Sequence, residues 1–147
     1  MSRSVGRRAM MVPVALAMGL LMSPAMAPAA PGSQSFGIWS NPGGSVHIRV
    51  HPCGRSMCGR VIWANAKAME DARKGGTDTL VGAELFQGFV RESDTVWRGK
   101  VFVPDIGKTF SGTVTVIDAR TLQGTGCLLG RIGCKSQTWT RIDRPGG

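Results

Sequence analysis

The chain has 147 residues, 42% of them apolar, and carries 18 lysines and arginines against 9 acids for a net charge of +9. That length allows one domain, and the composition leaves no room for a low-complexity linker, an internal repeat or a second domain. The basic residues are scattered, with no stacking aromatics gathered among them, so the charge reads as a solvated exterior weakly attractive to anionic envelope components and not as a nucleic-acid surface.

The first segment is Arg3, Arg7 and Arg8, then the apolar run "AMMVPVALAMGLLM" from Ala9 to Met22, then "SPAMAPAAPG". A basic start, an apolar core and a small-residue stretch make the layout of a secretory signal peptide. The run is short for a membrane span and holds Pro13, so no transmembrane anchor is expected. Cleavage after Ala29 is preferred, because a cut after Ala27 would set Pro28 just beyond the scissile bond. The Arg7-Arg8 pair also fits a twin-arginine signal, but four cysteines favour folding in an oxidising compartment. Residues 1–29 are therefore assigned to a signal peptide and 30–147 to one mature domain of 118 residues and charge +6, expected in the periplasm as a monomer.

From residue 36 the hydrophobic period is two. "FGIWS" (36–40) reads as a strand ended by the turn "NPGG", and "SVHIRVH" sets Val46, Ile48 and Val50 against His47, Arg49 and His51. "ANAKAMEDARKGG" (64–76) is rich in helix formers and stopped by two glycines, so it reads as one short helix or a long loop. In "TVWRGKVFV", Trp97, Gly99, Val101 and Val103 share a face; in "TFSGTVTVID", Phe110, Gly112, Val114 and Val116 do so. "PDIG" (104–107) between them reads as a hairpin loop closed by a glycine able to take positive φ. The strands fall near 36–40, 45–52, 58–63, 83–91, 95–103, 108–118, 121–128 and 135–143. An all-β fold follows. The expected form is a small up-and-down antiparallel barrel of about eight strands, with a two-sheet sandwich as the alternative.

Cysteines stand at 53, 58, 127 and 134. Each local pair straddles a predicted turn, so Cys53–Cys58 and Cys127–Cys134 are read as staples across hairpins, each worth about 2 kcal/mol. Zinc is the rival reading. The Cys–Cys gaps of four and six residues suit it poorly, and His47 and His51 stand about 13 Å apart along a strand, so no metal is expected. No hydrolase elbow, phosphate loop, dinucleotide loop or redox Cys-x-x-Cys is present, so neither catalytic residues nor a cofactor are assigned.

Gly37-Ile38-Trp39 at the first strand and Thr138–Ile142 at the last resemble the G-x-W start and late arginine of lipocalins and related calycin barrels. The resemblance implies that Gly37, Trp39 and Arg141 close one end of a barrel, with the guanidinium laid on the indole. The ordered pieces "GIWSNPGGSVHIRVHPCGRSMCGRVIW", "LVGAELFQGF", "WRGKVFVPDIGKTFSGTV", "TLQGTGCLLG" and "CKSQTWTRI" also resemble a bacterial exported family known as domain of unknown function 2147. That likeness implies a lipocalin-like barrel in the cell envelope and no common activity. The sequence departs from the family around 74–79, where "KGGTDT" replaces an N-P-D-type motif.

Together these readings imply a non-enzymatic binding module for one small hydrophobic or amphipathic, fatty-acid-like or isoprenoid-like ligand. Its lumen is assigned to Trp97, Gly99, Val101, Phe110, Gly112 and Val114, where glycines among large residues fit either strong coiling or a space kept open. The alternative is an envelope structural or interaction protein with a filled barrel and a basic surface.

Overall fold

The computed structural model describes residues 23–27 and 32–146. The expected signal peptide, apart from residues 23–27, and its cleavage site lie outside the described residues. Eight antiparallel strands run in chain order around a closed barrel: β1 (Gly37–Ser40), β2 (Val46–Cys53), β3 (Ser56–Ala64), β4 (Glu84–Arg91), β5 (Val96–Val103), β6 (Lys108–Asp118), β7 (Thr121–Leu129) and β8 (Ile132–Ile142). Closure comes from β1 pairing with β8 through Trp39 opposite Arg141, so no sheet edge is left open.

The connections follow from turn chemistry. Asn41 accepts the N–H groups of Ser45 and Val46 on its side-chain oxygen, fixing the β1–β2 turn. Gly107 takes φ 60° to end the 3-10 turn Pro104–Ile106 between β5 and β6. Helix α1 (Ala66–Lys74) starts where the Asn65 side chain accepts from Ala68 N–H at 2.8 Å. Pairs four residues apart, Lys67–Asp71 and Glu70–Lys74, lace its exposed side.

Inward positions build one core from Trp39, Ile48, Val50, Met57, Val61, Phe86, Phe89, Trp97, Val114, Leu122 and Trp139. Among several slips in the ladder, two redirect aromatic side chains. On β4 the ladder slips between Gln87 and Val90, with Gly88 at φ 58°, so that Phe86 and Phe89, three residues apart, both turn inward. On β3 the register slips so that Ile48 faces Val61 but His47 faces Trp63. Trp63 therefore lies on the outer face, although strict alternation from Val61 would turn it inward. It stacks on His47 with ring centroids 4.5 Å apart. His47, read as a solvent-side residue, is buried there, and its Nδ1 accepts the N–H of Gly146 from the C-terminal tail.

The barrel has two unlike ends. The 3-10 turn Ser33–Ser35 and the β2–β3, β4–β5 and β6–β7 turns gather at one, the plugged end. At the other, the open end, stand α1 and the β1–β2, β5–β6 and β7–β8 turns. Among the described residues no helix is long and apolar enough to cross a membrane.

Candidate functional site

The plugged end is built around Arg141. Its guanidinium carbon lies 4.2 Å from the centroid of the Trp39 ring, and its N–H groups donate to the carbonyls of Ala119, Phe36 and Gln34. One side chain thus ties β8 to the β6–β7 turn and to the segment entering β1. Trp39 is fully buried and donates its indole N–H to Ser35 O at 2.9 Å. Gly37, at φ 136°, leaves the space the guanidinium uses, because a Cβ there would stand 2.2 Å from Arg141 Nη1. Desolvation, helped by the neighbouring Arg120 charge, lowers the Arg141 pKa from its ordinary value.

Both disulfides are local: Cys53–Cys58 closes the β2–β3 hairpin at the plugged end, and Cys127–Cys134 the β7–β8 hairpin at the open end. Their surroundings differ. Met57 and Cys58 are buried, whereas Leu128, Leu129 and Ile132 beyond the second bridge are 66%, 74% and 72% exposed. Cys53 and Cys58 also lie near the Glu84 carboxylate. With both sulfurs joined to each other, that cluster offers no thiolate, and Glu84 faces Arg60 instead.

The six residues assigned to the lumen form three successive cross-strand pairs between β5 and β6: Trp97 with Val114, Gly99 with Gly112, and Val101 with Phe110. They sit at different depths. Trp97 and Val114 are buried in the core near the plugged end; Phe36 packs against Trp97 with centroids 6.1 Å apart. The Trp97 indole nitrogen has no hydrogen-bond partner among the described residues. At mid-height the glycines yield their space to neighbours: a Cβ on Gly99 would meet the Phe89 ring at 2.7 Å, and one on Gly112 would meet Val101 at 2.5 Å. Gly124 likewise faces Trp139 and Phe86. At Gly99 and Gly124 glycine makes room for aromatic rings, and at Gly112 for Val101 and the Thr125 backbone.

Above that layer the inward wall opens. Val101 and Phe110 are half-buried, and a Cβ on Gly126 would have both at 4.0 Å, ordinary contact. By register with Gly124 and Gly126, Gln137 and Lys135 share the inward face of β8, and both are exposed. An apolar cup with an amide and an ammonium on its rim results. Sequence alternation carried no signal for this division, because it depends on the β4 bulge that turns Phe89 inward over Gly99 of the neighbouring strand. The segment "KGGTDT" flanks the open end: Thr77 Oγ donates to Pro104 O at 3.0 Å, and Gly75 packs so tightly on the β5–β6 turn that a Cβ would lie 2.2 Å from Asp105.

On the outer face of the same wall run two adjoining clefts. One, of about 490 Å³, is lined by Gly88, Arg98, Lys100, Ser111, Gly130 and Arg131. The other, of about 180 Å³, reaches Thr113 and the Cys127–Cys134 bridge. Nothing in the alternation of β5 and β6 announced them, since they form where the tip of the β7–β8 hairpin stands over neighbouring strands.

Comparison with known proteins agrees with this architecture. The family model described as "Uncharacterized protein conserved in bacteria (DUF2147)" matches residues 37–141, from the first-strand glycine to the arginine over Trp39. A solved Helicobacter pylori protein, described as belonging to the lipocalin family, superposes with a TM-score of 0.56 at 14% identity over 73% of this chain and 82% of its own. At that identity the likeness concerns the fold. No curated protein matches the sequence.

Proposed function

The chain belongs to this family of uncharacterised bacterial proteins, and we propose that it is an exported, non-enzymatic carrier that holds one small amphipathic molecule in the open end of a lipocalin-like barrel. The observation that carries the reading is the division of the lumen at Gly99 and Gly112. Below them aromatic side chains fill the interior; above them Val101, Phe110 and Gly126 face inward with Lys135 and Gln137 at the rim. An apolar wall beneath one cation suits an alkyl or isoprenoid chain ending in an acidic group. The basic and apolar N-terminal layout and two disulfides support export to the periplasm, with cleavage after Ala29.

The test uses a side chain that fits without harm. Gly126 has room for a larger residue, so Gly126→Leu should fill the cup while leaving the melting temperature close to that of the parent. Delipidated protein titrated with brominated fatty acids and isoprenoid acids should lose tryptophan fluorescence, saturating near one equivalent, and Gly126→Leu should not. If neither protein responds to the panel, the carrier reading fails. The second reading then stands: an envelope interaction protein with a filled barrel, supported by the packed plugged half and the exposed apolar tip of the β7–β8 hairpin.

A further inference from the structure

Charge is unevenly divided along the chain. Residues 30–95 hold seven basic and six acidic side chains, whereas residues 96–142 hold seven basic and two acidic ones. Of those two, Asp118 ends β6 at the plugged end, and Asp105 lies in the turn packed against Gly75 behind α1. From Thr121 to Ile142 there is no acid at all. Strands β5 to β8 therefore carry an excess of cations, and on their outer face, among the described residues, Lys100 and Arg131 form no ion pair, while Arg98 is held by Glu92. The β7–β8 hairpin rises from this wall with Leu128, Leu129 and Ile132 at its tip.

An exposed apolar tip on a positive wall has a specific complement. We propose that the β7–β8 hairpin is a membrane-docking finger: Leu129 and Ile132 enter the headgroup–acyl boundary of an anionic phospholipid surface, and the outer cleft lined by Arg98, Lys100 and Arg131 receives a lipid phosphate. The finger is preformed. The Cys127–Cys134 bridge joins directly opposed residues of β7 and β8, and Leu129 is paired with Ile132, so docking demands little ordering of the backbone. Position matters too, because the hairpin stands at the open end of the barrel and would set the cup against the bilayer. A second copy of the chain is a poorer occupant: its own positive wall would repel the first, and a few tip side chains fall well short of the roughly 800 Å² per partner buried in a stable interface.

The experiment is co-sedimentation of the oxidised protein with vesicles of phosphatidylcholine alone and of phosphatidylcholine mixed with phosphatidylglycerol. Binding should require the anionic lipid and fall with added salt. Arg131→Gln should weaken it about fivefold, the share of one cation near such a surface, and Leu129→Ser with Ile132→Ser should weaken it by about tenfold or more. Because both apolar positions are exposed, these variants should keep the parental melting temperature. Leu129→Trp should shift its fluorescence to the blue on the mixed vesicles. Inorganic phosphate should displace the protein no better than chloride at equal ionic strength; preferential displacement by phosphate would make the cleft a free-anion site and overturn membrane docking. Equal binding to both vesicle types, no binding to either, or tip variants that instead turn a dimer into a monomer would overturn it as well. Gly126→Leu should bind vesicles as the parent does, so failure of the carrier reading and failure of this one are separable.

Discussion

At the plugged end of this barrel the Cys53–Cys58 hairpin buries Met57, opposite Phe89, and Cys58. At the open end the Cys127–Cys134 hairpin holds Leu129 and Ile132 out in solvent beside Arg131. The two hairpins have similar covalent loops and opposite surroundings. A staple inside a packed end adds to stability already present, whereas a staple on a projecting hairpin preserves a shape that packing does not enforce. Sequence spacing alone cannot tell these roles apart, and mutation can.

The largest effect is expected from the bond network of the plugged end. Arg141→Ala removes three donor contacts to backbone carbonyls and the cover over Trp39, and should cost about 3 kcal/mol, lowering Tm by roughly 10–15 °C. Arg91 makes its bonds to Asp94 and Ser93 O within one turn at the same end, and beyond it only its guanidinium edge lies against Gly32. Arg91→Ala should cost about 0.5 kcal/mol, as exposed local pairs do. Equal melting shifts for the two variants would remove the seal at Arg141 from this account.

Glycines at two heights sharpen the comparison. Gly99→Ala drives a methyl into Phe89, whose Cα lies 2.8 Å from the new atom, and should cost about 1–3 kcal/mol because backbone cannot step aside. Gly126→Ala meets nothing closer than 4.0 Å and should change stability by less than about 0.5 kcal/mol. Thermal melts of both variants decide this. Equal losses would mean that the open half is packed as tightly as the plugged half, and the cup would disappear.

These pairs also mark what the sequence could reveal. Alternation in "SVHIRVH" and "TFSGTVTVID" exposes the strands, and "PDIG" and "NPGG" mark the turns, because backbone geometry there follows from residue type. The cysteine pairs were legible because each flanks a turn. The closure by Gly37, Trp39 and Arg141 was reached through resemblance, since 104 residues separate Gly37 from Arg141 and no local period links them. The filling of the Gly99 niche was not legible, because it depends on the one-residue slip at Gly88, which turns Phe89 inward against the alternation. The slip in β3 likewise sets Trp63 on the outer face, where strict alternation from Val61 would turn it inward. A bulge shifts every assignment beyond it, and β4 and β3 each carry one next to a residue that mattered.

The disulfides give a smaller contrast. Loop-closure entropy assigns each about 2 kcal/mol, so on that ground alone replacing either pair with alanine should have nearly the same effect. Cys58 is only 5% exposed, however, and truncating it leaves a void near Cys53 and Glu84. The Cys53→Ala, Cys58→Ala variant should therefore melt below the Cys127→Ala, Cys134→Ala variant, by about 1 kcal/mol in stability. Hydrogen exchange should add the complementary result: only loss of the second bridge should deprotect amides in the β7–β8 hairpin without touching the core. If that loss deprotects the barrel as a whole, the two ends fold as one unit and the contrast drawn between them fails.

The smallest effect is expected outside the barrel, where the C-terminal tail returns from the plugged end to β2. His47 is buried between Trp63 and this tail, and its Nδ1 accepts the Gly146 N–H at 3.1 Å, a bond that only a ring unprotonated at Nδ1 can make. Desolvation lowers its pKa from the ordinary histidine value of 6.5. The sign follows from proton counting. As pH falls through the usual histidine range, the unfolded chain takes up a proton that the folded chain still refuses, so stability declines with acidification and recovers above that range. Thermal melts on either side of the range should show this decline in the parent, and it should be shallower in His47→Gln, which keeps an acceptor near Gly146 but cannot titrate. Ending the chain at Ile142 should flatten the slope in the same way, because the imidazole then regains access to water. A slope unchanged by both alterations would mean that the tail does not shield His47, and the outer face of β2 would have nothing strapped across it.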